Sequence, residues 1–275
     1  MSFGDGRNVL THAPLTHHLT GSGPDVALLN GGMMTLSSWE PVAAVLEPRF
    51  GVLRFDFRGQ LLSPAEPPAD LAGHADDLGS LLDSLRIDST HLVGASFGAL
   101  VALEFAARHP ERVRSLVLIT AMDHVTPEFR QDSDRMRAIL AGVLAGEDRG
   151  AFYDALVAGV YSTSYLRREE AAIAARRAQI DLLPLPWFAA VDRLLASIES
   201  FDLAPQIAAI RCPSAVLVAA EDRVMAPERS LALAEALGAE VSTHPTSGHG
   251  LVIEEPAWVA DEVLRHLERW ERFEL

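Results

Sequence analysis

Lysine is absent from this 275-residue chain: all 23 basic side chains are arginine, against 38 aspartates and glutamates, for a formal net charge of −15. The arginine bias, with the abundant alanine, reads as coding composition in a GC-rich genome and carries no mechanistic weight. The shortage of positive charge does carry weight. A phosphate backbone or an anionic membrane surface is repelled by such a protein, so neither nucleic acid nor membrane is expected as a partner. Cysteine is nearly absent too; Cys212 stands alone and cannot close an internal disulfide. The opening MSFGDGRNVLTHAPL lacks the basic and apolar halves of a secretory leader. Together these predict a reducing, cytoplasmic location. No apolar run approaches the roughly 20 residues that cross a bilayer. There is no internal repeat, no low-complexity tract, no metal-ligand spacing and no cofactor motif, so neither metal nor cofactor is expected.

What is present is apolar mass: 49% of residues are hydrophobic, enough for one large core. Short apolar runs, VALLN (26–30), VLRFD (52–56), HLVGA (91–95), SLVLI (115–119) and AVLVAA (215–220), read as strands of a parallel sheet buried on both faces. Helical patterns over 36–46, 71–85, 97–108 and 227–237 alternate with them, as in a doubly wound α/β fold. A last helix starts near Pro256, with Val259, Val263, Leu267 and Trp270 on one face. The rhythm breaks between SLVLI and AVLVAA, where the chain reads as amphipathic helices separated by Gly142, Gly146, Gly159, Pro184 and Pro186. The expected organisation is a core of residues 1–121 and 206–275 with a helical insertion at 122–205.

Gly94-Ala95-Ser96-Phe97-Gly98 fits G-x-S-x-G, which presents a serine on a strained turn between strand and helix. With Gly and Ser each near ~7% of residues, about one chain in ten of this length holds the pattern by chance. Its setting gives it meaning: it follows the apolar HLVGA and opens the alanine-rich ALVALEFAARHP. The stretch HLVGASFGALVALEFAARHPERVRSLVLITA resembles the elbow, helix and next strand of the α/β-hydrolase family, and the resemblance runs over nearly the whole chain, the insertion excepted. It implies a mostly parallel sheet flanked by helices, a helical cap before the acid-bearing strand, and Ser96 as nucleophile.

A serine hydroxyl needs a base to take its proton, and the base needs a third group to orient it. The family order is Ser, acid, His. The chain offers Ser96, then Asp222 after AVLVAA, then His249 in TSGHG before the last helix. Glu221 and Asp123 are rivals for the acid and His244 for the base. The resemblance also implies two backbone N–H donors for an oxyanion: Phe97 after the nucleophile, and Gly32 in Asn30-Gly31-Gly32-Met33, where Asn30 replaces the usual His. FDFRGQLLS departs from the family's D-x-R-G-x-G-x-S at Leu61; Asp56 and Arg58 read as a structural pairing within that loop.

The resulting expectation is a serine hydrolase acting on a small-molecule apolar ester or thioester through an acyl-enzyme on Ser96. Two alternatives stay open: an acyltransferase passing the same acyl group to a non-water acceptor, because LLNGGMM resembles the loop of hydroxyalkanoyl acyltransferases of this fold, and a receptor-like member with little turnover. Relatives that dehalogenate or open epoxides carry an aspartate where this chain has Ser96. The insertion's aromatics, Phe129, Phe152, Tyr153, Tyr161, Tyr165, Trp187 and Phe188, could wall an acyl pocket, although each alone reads more simply as packing. The sequence leaves acyl length and oligomeric state open.

Overall fold

The computed structural model describes residues 15–271; the opening MSFGDGRNVLTHAPL, apart from Leu15, lies outside the described residues. Seven strands form one sheet in the order β1 (His17–Gly21), β3 (Gly51–Phe55), β2 (Asp25–Leu29), β4 (Thr90–Ala95), β5 (Val113–Ile119), β6 (Ser214–Ala219) and β7 (Glu240–His244). β1 runs antiparallel to β3, and every other pairing is parallel. The two-residue period of a strand divides the apolar runs between two cores. Ala27, Leu29, Leu53, Phe55, Leu92, Leu116, Leu118, Val216 and Val218 face α2 (Leu71–Leu85), α3 (Phe97–Arg108) and α9 (Pro227–Leu237). Val26, Leu28, Val52, Val93, Val117, Ile119, Ala215 and Leu217 face α1 (Glu40–Leu46) and α11 (Pro256–Glu271).

The expected elements are all found, the helices over 71–85, 97–108 and 227–237 at those bounds and the strands with ends displaced by one or two residues. The exception is 36–46, which opens as a tight 3-10 turn over Leu36–Trp39 before α1 begins. Pro41 accounts for the restart, because a proline is accommodated in the first turn of a helix and not beyond it.

Between β5 and β6 lie five helices: α4 (Pro127–Leu144), α5 (Arg149–Val160), α6 (Thr163–Arg168), α7 (Glu170–Arg177) and α8 (Leu185–Ile198). The apolar faces of α4, α5 and α8, with Ile180 from the short turn before α8, close on one another around Leu140, Val143, Phe152, Phe188 and Val191, a cluster separate from the two sheet cores. The segment leaves and rejoins the core at one place: Val125 N–H donates to Phe201 O (3.0 Å) and Leu203 N–H to Asp123 O (2.8 Å). A second attachment ties the turn after α5 to the chain before α11. The carboxylate of Glu254, in the short α10 (Leu251–Glu254), is buried and accepts from Ser162 N–H (2.9 Å), Ser162 Oγ–H (2.6 Å) and Gly248 N–H (3.0 Å). Gly250 N–H donates to Val160 O (2.9 Å), and Arg223 Nη2 to Tyr161 O (2.7 Å). No described helix is long and apolar enough to cross a membrane.

His74, on α2, is fully buried, edge-on to Phe57 and Phe97 at 5.6 and 5.0 Å between ring centres. Neither ring nitrogen hydrogen-bonds to a described residue.

Burial, reinforced by the charge of Arg58, pushes the His74 pKa down to about 3. An unfolded histidine takes its proton near 6.5, so the unfolded chain binds more protons between about 6.5 and 3, and stability falls as pH drops through that window. His74→Phe removes this dependence: between pH 7 and pH 5 the variant loses about 2 kcal/mol less stability than the wild type, as read by urea denaturation at both pH values. Glu254→Ala strands the buried N–H groups of Ser162 and Gly248 and lowers stability by about 3 kcal/mol in the same assay, while Glu254→Gln, which keeps an acceptor, costs less.

Candidate active site

Strand β4 ends at Ala95 and α3 begins at Phe97, so Ser96 carries the whole turn. Its backbone sits at φ 51° and ψ −118°, a region that a residue with a Cβ seldom occupies. Hydrogen bonds hold it there: Ser96 N–H donates to Ile119 O (2.9 Å), and Ser96 O accepts from Ala99 N–H (2.8 Å) and Leu100 N–H (3.1 Å). The flanking glycines are required by close approach rather than by their own dihedrals. A Cβ on Gly98 would lie 2.3 Å from Leu29 O, and one on Gly94 2.5 Å from Gly98 O. Only without side chains at 94 and 98 can α3 start this close to β2 and β4.

The loops after β6 and β7 bring the other two groups to Ser96. His249 Nε2 is 2.8 Å from Ser96 Oγ, and His249 Nδ1 is 2.8 Å from Asp222 Oδ2. Asp222 Oδ1 accepts the N–H groups of Val224 (2.8 Å) and Met225 (2.9 Å), which fixes the carboxylate. An acceptor at Nδ1 stabilises the Nδ1–H tautomer, and that leaves the Nε2 lone pair to receive the Ser96 proton. The side chains of His249 and Asp222 are 7% and 1% exposed, so little water competes for these bonds. The rivals lie elsewhere. Glu221 is exposed, Asp123 bonds His124 Nδ1 (2.7 Å), and His244 bonds Ser247 Oγ (2.8 Å) and packs on Trp258.

Gly32 lies against the start of α3: a Cβ placed on it would be 3.9 Å from Phe97 Cβ. Phe97 is the first residue of its helix, where an N–H has no intrahelical acceptor. Asn30, in the family's His position, donates through Nδ2 to Asp56 Oδ1 (3.1 Å) and Gln60 Oε1 (2.9 Å). Asp56 and Arg58 do not pair with each other, contrary to the sequence reading. Asp56 accepts Leu36 N–H (2.6 Å) and Leu62 N–H (2.9 Å), and burial raises its pKa against those bonds. Arg58 reaches α2 instead, with Nε 2.6 Å from Asp77 Oδ2 and Nη2 3.0 Å from Oδ1. The separation follows from the loop's turn: Asp56 points inward to collect loop amides, and the guanidinium, too costly to bury, stays half-exposed beside a carboxylate.

Among the insertion's aromatics, Phe152 and Phe188 are fully buried in its own cluster, with Tyr153 and Trp187 packed against it. Phe129 packs on a sheet core and Tyr165 against Tyr161. Met33, in the Asn30 loop, packs against the insertion's cluster. Sequence reasoning missed Gln60 and Glu254. Gln60 occupies an open position of its motif, and Glu254 could have been suspected only as the acidic member of the buried face formed with Leu251 and Val252.

A model of the alpha/beta hydrolase fold matches residues 24–256. The chain is 32% identical over 224 residues to a protein of Pseudomonas savastanoi pv. phaseolicola (strain 1448A / Race 6) named "Putative carbamate hydrolase RutD", covering 79% of this chain and 83% of that one. Among solved structures, the enol-lactonase from Burkholderia xenovorans LB400 superposes with a TM-score of 0.80 at 26% identity, over 92% of this chain and 96% of that one. MGS-M2, an alpha/beta hydrolase enzyme from a Medee basin deep-sea metagenome library, superposes with a TM-score of 0.87 at 23% identity, over 92% and 94%, a likeness of fold alone. With the family model spanning most of its length, this chain belongs to the α/β-hydrolase fold family; it is an α/β hydrolase.

Proposed function

We propose that the protein is a serine hydrolase that cleaves a carboxylic ester or thioester through an acyl-enzyme on Ser96. The observation that carries this reading is the unbroken run of hydrogen bonds from Asp222 through His249 to Ser96. Ser96 Oγ attacks the substrate carbonyl carbon while its proton passes to His249 Nε2, and Asp222 stabilises the resulting imidazolium. The carbonyl oxygen takes the negative charge and is held by the N–H groups of Gly32 and Phe97. Collapse of this intermediate expels the alkoxide or thiolate, which leaves with the Nε2 proton. Water then repeats the sequence: His249 removes its proton, the oxygen attacks the acyl carbon, and Ser96 regains a proton as the acid departs. Residues 122–205 serve as a cap over the substrate, and Met33, which joins the Asn30 loop to the insertion's apolar cluster, supports an uncharged acyl group.

A second reading has one observation in its favour. The 32% identical relative is named as a carbamate hydrolase, and a carbamate presents the same carbonyl with nitrogen on its other side. The same attack on a carbamate expels either the alcohol or the amine, followed by water.

An active-site fluorophosphonate labels the wild type and fails to label Ser96→Ala, and kcat/KM on a p-nitrophenyl ester falls by about 10⁴-fold or more in the variant. Equal labelling of both proteins contradicts the assignment. A panel of p-nitrophenyl esters, thioesters and carbamates of matched acyl length separates the two readings by which kcat/KM is greatest.

A further inference from the structure

We infer that Gln60 is a positioning residue for the oxyanion site: its side-chain amide holds the peptide between Gly31 and Gly32 so that the Gly32 N–H points at the reacting carbonyl. The inference rests on the Ser96 reading proposed above and adds to it a residue that fixes the geometry of one donor.

Gln60 is buried, and its amide has every hydrogen-bonding group engaged. Oε1 accepts from Asn30 Nδ2 (2.9 Å) and from Phe57 N–H (2.9 Å). Nε2 donates to Gly31 O (2.7 Å) and to Gly32 O (3.2 Å). The partners settle which end of the amide faces which way. Phe57 N–H can only donate and the two glycine carbonyls can only accept, so the reversed amide would set donor against donor and acceptor against acceptor, and Asn30 is oriented in turn by the Asp56 carboxylate.

The carbonyl of Gly31 and the N–H of Gly32 belong to one planar peptide unit, and no described peptide bond is cis. In a trans peptide these two groups point in opposite directions. Anything that pins the carbonyl therefore aims the N–H. Gly31 O is pinned from two sides, by Gln60 Nε2 and by Met34 N–H at 3.1 Å.

Such a restraint is needed here because two consecutive glycines leave the loop nearly free to rotate about that peptide, and a donor that turns away contributes nothing to a developing oxyanion. Asn30 completes the device. It spends its second N–H on Asp56, whose carboxylate also collects the amides of Leu36 and Leu62, so the network is anchored at the end of β2 and in both loops beside it.

The test compares Gln60→Leu and Gln60→Glu with the wild type on a p-nitrophenyl ester, with active sites counted by burst titration and folding followed by thermal melting. Per titrated site, kcat of Gln60→Leu falls about 10- to 100-fold, somewhat less than for outright loss of a donor, while KM stays within about twofold. The inhibition constant of an alkyl trifluoromethyl ketone, whose hemiketal on Ser96 places its oxyanion against the same donors, rises by the same factor as kcat falls. In Gln60→Glu the neutral carboxyl can donate to Gly31 O and the ionised one cannot, so its deficit relative to the wild type narrows as pH is lowered. A purely structural Gln60 gives fewer active sites but unchanged kcat per site and unchanged ketone affinity, and that result overturns the inference. If Gln60→Leu does not fold, a deficit in Gln60→Glu that is flat with pH overturns it equally. Turnover retained by Ser96→Ala would instead remove the reading beneath it, whatever the Gln60 variants do.

Discussion

The left-handed backbone of Ser96 is the constraint on which the rest of the site depends. Holding a residue with a Cβ at φ 51° costs on the order of 1–3 kcal/mol, and the surrounding fold has to supply it. It does so with the bond from Ser96 N–H to β5, the start of α3, and two glycines whose bare α-carbons let that helix meet the ends of β2 and β4. Once the hydroxyl is raised there, above the carboxyl ends of parallel strands, the loops after β2, β6 and β7 are the segments within reach of it. That is the general reason why sites gather at this edge of an open α/β sheet. The same turn puts the Phe97 N–H at a helix start, so the proposed nucleophile and one proposed oxyanion donor come from one strained element.

Two polar clusters stand on either side of this elbow, and both are built from side chains that satisfy backbone groups. On one side Asn30, Asp56 and Gln60 hold the glycine loop. On the other Glu254 collects the amides of Ser162 and Gly248, joining the helical segment between β5 and β6 to the residue that precedes His249. The carboxylates of Asp56 and Glu254 and the amide of Gln60 are paired at both ends, which holds these loops without regular secondary structure, while Asn30 Oδ1 has no partner among the described residues.

Much of this was legible in the sequence, for identifiable reasons. The strands read correctly because a parallel sheet buried on both faces leaves unbroken apolar runs, as in LVLI of β5. The bounds of α2 could be read to the residue because Asp70 caps its start and the apolar face stops at Leu85. Ser96, Asp222 and His249 each follow a strand in the order the family uses, and hydrogen bonds join them. What could not be read were pairings made only in three dimensions. Sequence proximity pairs Arg58 with Asp56, whereas its partner is Asp77, nineteen residues away on α2. Gln60 and Glu254 are ordinary polar residues in sequence, and only burial reveals what they hold. The insertion was read as helices, but which aromatics pack inward depends on how those helices meet one another.

The central claim is that carbonyl chemistry passes through Ser96. It is tested most directly with p-nitrophenyl N,N-dimethylcarbamate, which leaves a slowly hydrolysed carbamoyl group on a serine nucleophile. Intact mass and peptide mapping after acid quench should find one carbamoyl group per chain, on the peptide containing Ser96, with its appearance matching the burst of p-nitrophenol. A burst with no adduct, or with the adduct on another residue, would contradict the account.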